Sequence, residues 1–108
     1  MSDAIVIFCT CADENEALRI ANALVESRQA ACVNVLPGIR SIYRWKENIQ
    51  TDQEVLLFIK TTEEHLPALE ALITRLHSYD TPEIIALPIV KGSEKYLCWL
   101  REQVDAAP

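Results

Sequence analysis

Residues Cys32–Thr62, CVNVLPGIRSIYRWKENIQTDQEVLLFIKTT, read as one long β-hairpin around which the rest of the chain is arranged. The second arm carries EVLLFI at positions 54–59. An apolar run of that length without Gly or Pro is the pattern of a strand covered on both faces. The first arm is interrupted by Asn34, Arg40, Ser41, Arg44 and Lys46, and Pro37-Gly38 predicts a bend or bulge near its start. One arm therefore belongs inside a sheet and the other at its edge. Ile42, Tyr43 and Trp45 stand near the tip, where a small domain has little to cover them. A long, partly apolar edge invites pairing with another chain, and a second copy of this chain is the expected partner.

Outward from the hairpin, AIVIFCT at positions 4–10 is another continuous apolar run and predicts a second central strand. Asp13 followed by Glu16 has the spacing of a capping box. Ala17, Leu18, Ala21, Leu24 and Val25 then give one apolar helical face, ending near Gln29. A second helix begins near Glu63, with Pro67 in its first turn and Leu66, Leu69, Leu72, Ile73 and Leu76 as its buried stripe. His77–Pro82 breaks it. Glu83–Val90 predicts a last strand, placed at an edge because Pro88 lacks a ladder donor. Gly92-Ser93 turns into a closing helix with Tyr96, Leu97, Leu100 and Val104 on one side.

The order β-α-β-β-α-β plus a terminal helix, with two continuous and two interrupted strands, predicts an α+β fold. It is the ferredoxin-like split βαβ arrangement with spatial strand order 4-1-3-2. All helices are expected on one face of the sheet, which leaves an apolar second face for self-association to cover.

At 108 residues the chain makes a single domain, 1–108. Its formal net charge of -6 speaks against a nucleic-acid backbone as partner, which needs a basic patch. No stretch has the length of a membrane span, and positions 1–10 lack the marks of a signal peptide. A cytoplasmic location follows as the expectation, with Cys9, Cys11, Cys32 and Cys98 as reduced thiols.

Chemistry-bearing residues are few. Cys9 and Cys11 share a face if their strand continues, but the paired Cys-x-x-Cys spacing of structural zinc is absent. Cys11, Cys32 and Cys98 read as packing residues, since a buried cysteine is a small hydrophobe. His77 closes the second helix, where a protonated ring suits the helix dipole and a neutral one could serve a soft metal beside the Cys9 thiolate. The C-terminal ends of the first strand and second helix are expected at opposite ends of a protomer. The strand order thus does not by itself join Cys9 to His77, and a neighbouring subunit is one way to do so. His65 is expected to be solvated. Tyr43, Trp45, Glu54, Lys60, Tyr79, Glu83, Tyr96 and Trp99 form a richer polar and aromatic set. Glu54 and Lys60 lie six apart on one strand and hence on one face, serving either an intersubunit ion pair or a ligand pocket. No nucleophile with an adjacent base and no Gly-rich phosphate loop is visible, so nothing demands an enzyme.

Ala31-Cys32-Val33-Asn34, Pro37-Gly38-Ile39, Ser41-x-Tyr43-x-Trp45, Lys60-Thr61-Thr62, His77-x-Tyr79-x-x-Pro82-Glu83 and Tyr96-Leu97-x-Trp99-Leu100 together resemble the CutA divalent-cation tolerance proteins. The resemblance runs in order over nearly the whole chain. It implies a homotrimer, similar in architecture to the PII signalling proteins, in which long hairpins exchange edges. It also implies tolerance to copper and other divalent metals, with Cu(II) or a similar ion bound at intersubunit clefts. The family ligands, one Cys and two adjacent histidines, fall on Cys9 and on Leu76-His77, so Leu76 stands where a histidine is expected. A second departure is Glu47-Asn48, where the family usually has Gly after Trp-x; Asn is expected to supply the left-handed residue there. The alternative function is a PII-like regulator holding a small anion or metabolite in the cleft, with Lys60 against its charge and Tyr43, Trp45 and Trp99 shaping the pocket.

Overall fold

The computed structural model describes residues 3–105; residues 1–2 and 106–108, the ends of the expected domain, lie outside the described residues. Four strands, β1 (Ala4–Cys11), β2 (Cys32–Trp45), β3 (Asn48–Thr62) and β4 (Ile85–Pro88), form one sheet in the order β2-β3-β1-β4. Every pairing is antiparallel. This is the 4-1-3-2 order that the two continuous apolar strands implied. The helices are α1 (Glu14–Glu26), α2 (Leu66–Leu76) and α3 (Glu94–Asp105). None is long and apolar enough to cross a membrane.

β1 alternates along its length: Ile5, Ile7, Cys9 and Cys11 are buried, whereas Val6, Phe8 and Thr10 are half-buried. The buried set, with Val55, Leu57 and Ile59 of β3, packs beneath Ala17, Ile20, Ala21 and Leu24 of α1 and Leu69 and Ile73 of α2. Truncating Leu57 or Ile73 to Ala in this layer should cost about 2–5 kcal/mol, since both are wholly buried. The start of α1 is fixed by Asp13, whose Oδ1 accepts the Glu16 N–H at 2.8 Å. Its end is fixed by Arg28, which takes a left-handed φ of 60° and lets the Gln29 and Ala30 N–H groups return to the Leu24 carbonyl. Pro67 lies in the first turn of α2, as its missing N–H requires; a single 3₁₀ turn, Glu63–His65, precedes it.

Two expectations about the sheet need correction. β4 spans only four residues rather than Glu83–Val90, although it does lie at an edge and does end at Pro88. The helices do not all share a face. α3 packs through Leu100 and Val104 on Ala4 and Ala31, and its Tyr96 ring lies 5.6 Å from Lys60 Nζ. Ala4 and Lys60 have the parity of Val6, Phe8 and Phe58, so α3 covers one end of the second face. Beyond α3 that face stays apolar, with Phe8 against Phe58 at 5.3 Å and Leu36, Ile85 and Leu87 exposed.

The hairpin has the predicted bulge: the β2–β3 register shifts between Leu36 and Ile39, and Gly38 has a φ of 80°. At the tip, Trp45 pairs with Asn48, which leaves a two-residue turn of Lys46 and Glu47 at φ 48° and 68°. The left-handed residues are thus Lys46 and Glu47, not Asn48, which already belongs to β3.

Candidate metal centre

The direction of α2 decides where the chemistry collects. β3 runs antiparallel to β1, and α2 must turn back over the sheet after β3, so α2 runs parallel to β1. Their C-terminal ends therefore meet, contrary to the expectation of opposite ends. His77 Nε2 lies 2.8 Å from the Thr10 carbonyl oxygen, within a single chain. Cys9, Cys11 and His77 each offer a ligand atom within 4.8 Å of the other two. Cys11, expected only to pack, is the third member; the strand continues through it, so it shares the buried face with Cys9.

Hydrogen bonds fix the imidazole. Nδ1 accepts the Tyr79 backbone N–H at 3.0 Å and so carries no proton; Nε2 carries it and donates to Thr10. The side chains of Cys9, Cys11 and His77 are closed to water. Hydrogen bonding to Cys11 and then burial hold the Cys9 thiol far above its ordinary range, so without an ion it stays protonated. All four cysteines are unbridged.

Glu16 orders this corner, a role its capping spacing did not reveal. Its Oε1 accepts the Ala12 N–H at 3.2 Å and its Oε2 the Ser78 N–H at 2.8 Å, so one carboxylate ties the start of α1 to the residue after His77. Burial alone would raise the Glu16 carboxyl. The hydrogen bonds from Ser78 and Ala12, with His77 nearby, outweigh it and hold the carboxyl below its ordinary value. Its Oε1 is 3.8 Å from His77 Nδ1, close enough to favour positive charge on the ring. Leu76, where the resemblance implied a histidine, packs against the core while its carbonyl accepts from Arg19 Nη2 at 3.1 Å.

The other candidates divide into two groups. Near the Cys9–Cys11–His77 cluster, the Tyr79 ring packs tilted against His77 at 4.7 Å and its hydroxyl donates to Glu54 Oε2 at 2.6 Å, on a buried Glu54. Burial, then Glu54, pushes the Tyr79 hydroxyl well above the usual phenol range. Tyr43 donates to Asp52 on the adjoining hairpin. Glu83 is exposed but its charge reaches Cys9. At the far end of β3, Lys60 sits over the rings of Phe58 and Tyr96, and Tyr96 packs on Trp99 at 5.5 Å. Six residues of strand, about 20 Å, separate Glu54 from Lys60, so one protomer does not gather the set into one pocket. Trp45, at the hairpin tip, is 60% exposed. His65 is not solvated as expected: its side chain is 19% exposed, with Nδ1 3.4 Å from Gln29 Oε1.

A four-stranded antiparallel sheet carrying a buried thiol–imidazole cluster defines a small α+β protein with the donor chemistry for a soft metal ion. Comparison with known proteins makes this specific. Residues 5–103 match the model of the CutA1 divalent ion tolerance protein family. The divalent-cation tolerance protein CutA of Thermus thermophilus is 52% identical over 97 residues, covering 90% of this chain and 94% of that protein. Human protein CutA is 46% identical over 99 residues, 92% of this chain but 55% of that protein. The chain thus spans about half the length of that relative. Among solved structures, the Thermus thermophilus divalent cation tolerance protein superposes with a TM-score of 0.91 at 50% identity, covering 93% of this chain and 97% of that one. CutA of Xylella fastidiosa gives 0.94 at 43% identity, covering 96% and 100%. The chain belongs to the CutA1 divalent ion tolerance family.

Proposed function

We propose that this chain is a non-enzymatic metal-tolerance protein of the cytoplasm, assembled as a homotrimer, that binds copper or a similar ion through Cys9 and His77. The observation that carries this reading is the convergence of Cys9, Cys11 and His77 donor atoms within 4.8 Å. Three donors arranged around one ion at about 2.3 Å lie about 4.0 Å apart, so the cluster needs a contraction of no more than about 1 Å. The donor set fits a metal that prefers sulfur and imidazole. The family's name supplies the biological direction, tolerance to divalent ions.

Because the donors come from one chain, each protomer carries its own centre, and a neighbour is not needed to complete it. A bound ion supplies a positive charge that stabilises the thiolate; the rest is done by the protein. Cys9 would bind as the thiolate, its proton leaving to solvent, and His77 would turn Nε2 from the Thr10 carbonyl to the ion. The ring proton would move to Nδ1, displacing the Tyr79 N–H, with Glu16 Oε1 as the hydrogen-bond acceptor beside it. Copper titration of wild type, Cys9→Ala and His77→Ala tests this. Each variant should lose at least about 100-fold in affinity, the upper end of what even outer-shell losses cost. Unchanged titration of both variants would refute the assignment.

A further inference from the structure

The donor set is specific about the ion as well as the place. Resting on the reading just given, we infer that the centre takes copper in its reduced, monovalent state, with Cys11 as a true ligand beside Cys9 and His77.

The donors are soft. Two sulfurs and one imidazole nitrogen are the ligands that select Cu(I), whereas Cu(II) favours tetragonal nitrogen and oxygen sets. The donors are also few. Structural zinc takes four ligands, and three-ligand zinc keeps a water in the fourth place. Only Cys9, Cys11 and His77 converge here among the described residues. The three side chains are closed to water, so a solvent ligand has no open position.

Most carboxylates around this corner already hold hydrogen bonds; exposed Glu83, whose charge reaches Cys9, is the exception. Glu16 accepts from Ala12 and Ser78 with its two oxygens. Asp13 Oδ1 caps α1 through the Glu16 N–H. Glu54 Oε2 accepts the Tyr79 hydroxyl. A hard, oxygen-seeking ion would have to draw on these bonded oxygens, on the Thr10 carbonyl or on exposed Glu83 to complete its shell, whereas a three-coordinate Cu(I) asks for none of them. Leu76, beside His77, packs on the core and offers no second nitrogen, and Cys11 puts a second sulfur in reach, which shifts the set further toward the monovalent ion.

The test uses the whole purified protein, reduced and under argon. Cu(I) is titrated in competition with bicinchoninate, and Cu(II) and Zn(II) in parallel. One Cu(I) per chain is expected, at least about 100-fold tighter than either divalent ion. Cys11→Ser should lose Cu(I) affinity as severely as Cys9→Ser, while Cys98→Ser, at the exposed cysteine, should match wild type. X-ray absorption on the wild-type copper form keeps the test decisive if a core variant folds poorly. Two sulfurs and one nitrogen around a monovalent edge are expected. One sulfur, or tighter binding of Cu(II) or Zn(II), overturns the inference while leaving metal binding at Cys9 and His77 intact. Binding of none of the three ions at one per chain overturns both.

Discussion

At the residue scale, the most consequential side chain is one whose sequence context explained it too well. Asp13-x-x-Glu16 satisfies a capping box, and Asp13 does cap α1. Glu16, however, reaches past the cap to Ser78 and stands beside His77. Cys11 was opaque for a related reason. With Cys9 it makes only a Cys-x-Cys pair, and the residue that completes the set, His77, arrives from far along the chain. Contacts of that kind belong to topology, and spacing along one strand cannot show them. Glu16 carries a prediction with a definite sign. Its folded-state carboxyl lies below the ordinary 4.5, so its stabilisation is fully present above that pH. It is lost as pH falls from about 4.5 through the lower folded-state value. Glu16→Gln should therefore cost about 2 kcal/mol at pH 7 by weakening charge-assisted hydrogen bonds, and the gap to wild type should close as the pH drops. Urea unfolding of both proteins at about pH 7 and about pH 3 measures this; a gap that is constant with pH would rule out a charged Glu16 as the cause.

At the element scale, the long hairpin was legible because its two arms differ in composition. The apolar run at 54–59 lies centrally, the interrupted arm lies at an edge, and Pro37-Gly38 marks the bulge. The direction of α2 against β1 was equally implied by the strand order, since a helix that follows β3 must return alongside β1. Cys9 and His77 meet for that reason, and the expectation that kept them apart had the helix direction reversed. The tip was harder to read. Trp45 pairing with Asn48 puts Lys46 and Glu47 in left-handed conformations, and neither residue favours them. A left-handed non-glycine residue costs roughly 1–2 kcal/mol, part of which glycine returns through its greater freedom when unfolded. Glu47→Gly should thus stabilise the protein by about 1 kcal/mol, seen as a higher denaturant midpoint with an unchanged slope. A lower midpoint would mean that Glu47 makes a contact at the tip that outweighs its backbone strain.

At the scale of the whole molecule, the protomer is elongated, 45 × 27 × 22 Å, with a radius of gyration of 14.5 Å against about 13 Å for a compact chain of this length. The excess is the hairpin, whose Ile42, Trp45 and Ile49 are 69%, 60% and 60% exposed. The sheet's second face adds exposed Leu36, Ile85 and Leu87. Apolar surface on a protruding edge and on an open face calls for cover, and the proposed trimer supplies it by laying each hairpin against a neighbour. Replacing Ile42 and Trp45 together with Asp puts two charges where that cover must form, and the variant should run as a monomer in native mass spectrometry where wild type runs as a trimer. The proposed copper site draws every donor from one chain, so the monomeric variant should keep one copper per chain with affinity within about twofold, a change below about 0.5 kcal/mol. Persistent trimers would show that the hairpin tip is not the contact that holds the assembly. Dissociation with loss of copper would instead move the centre's integrity to the interface, because β1 and α2 would then depend on a neighbour to hold Cys9, Cys11 and His77 in reach of one ion.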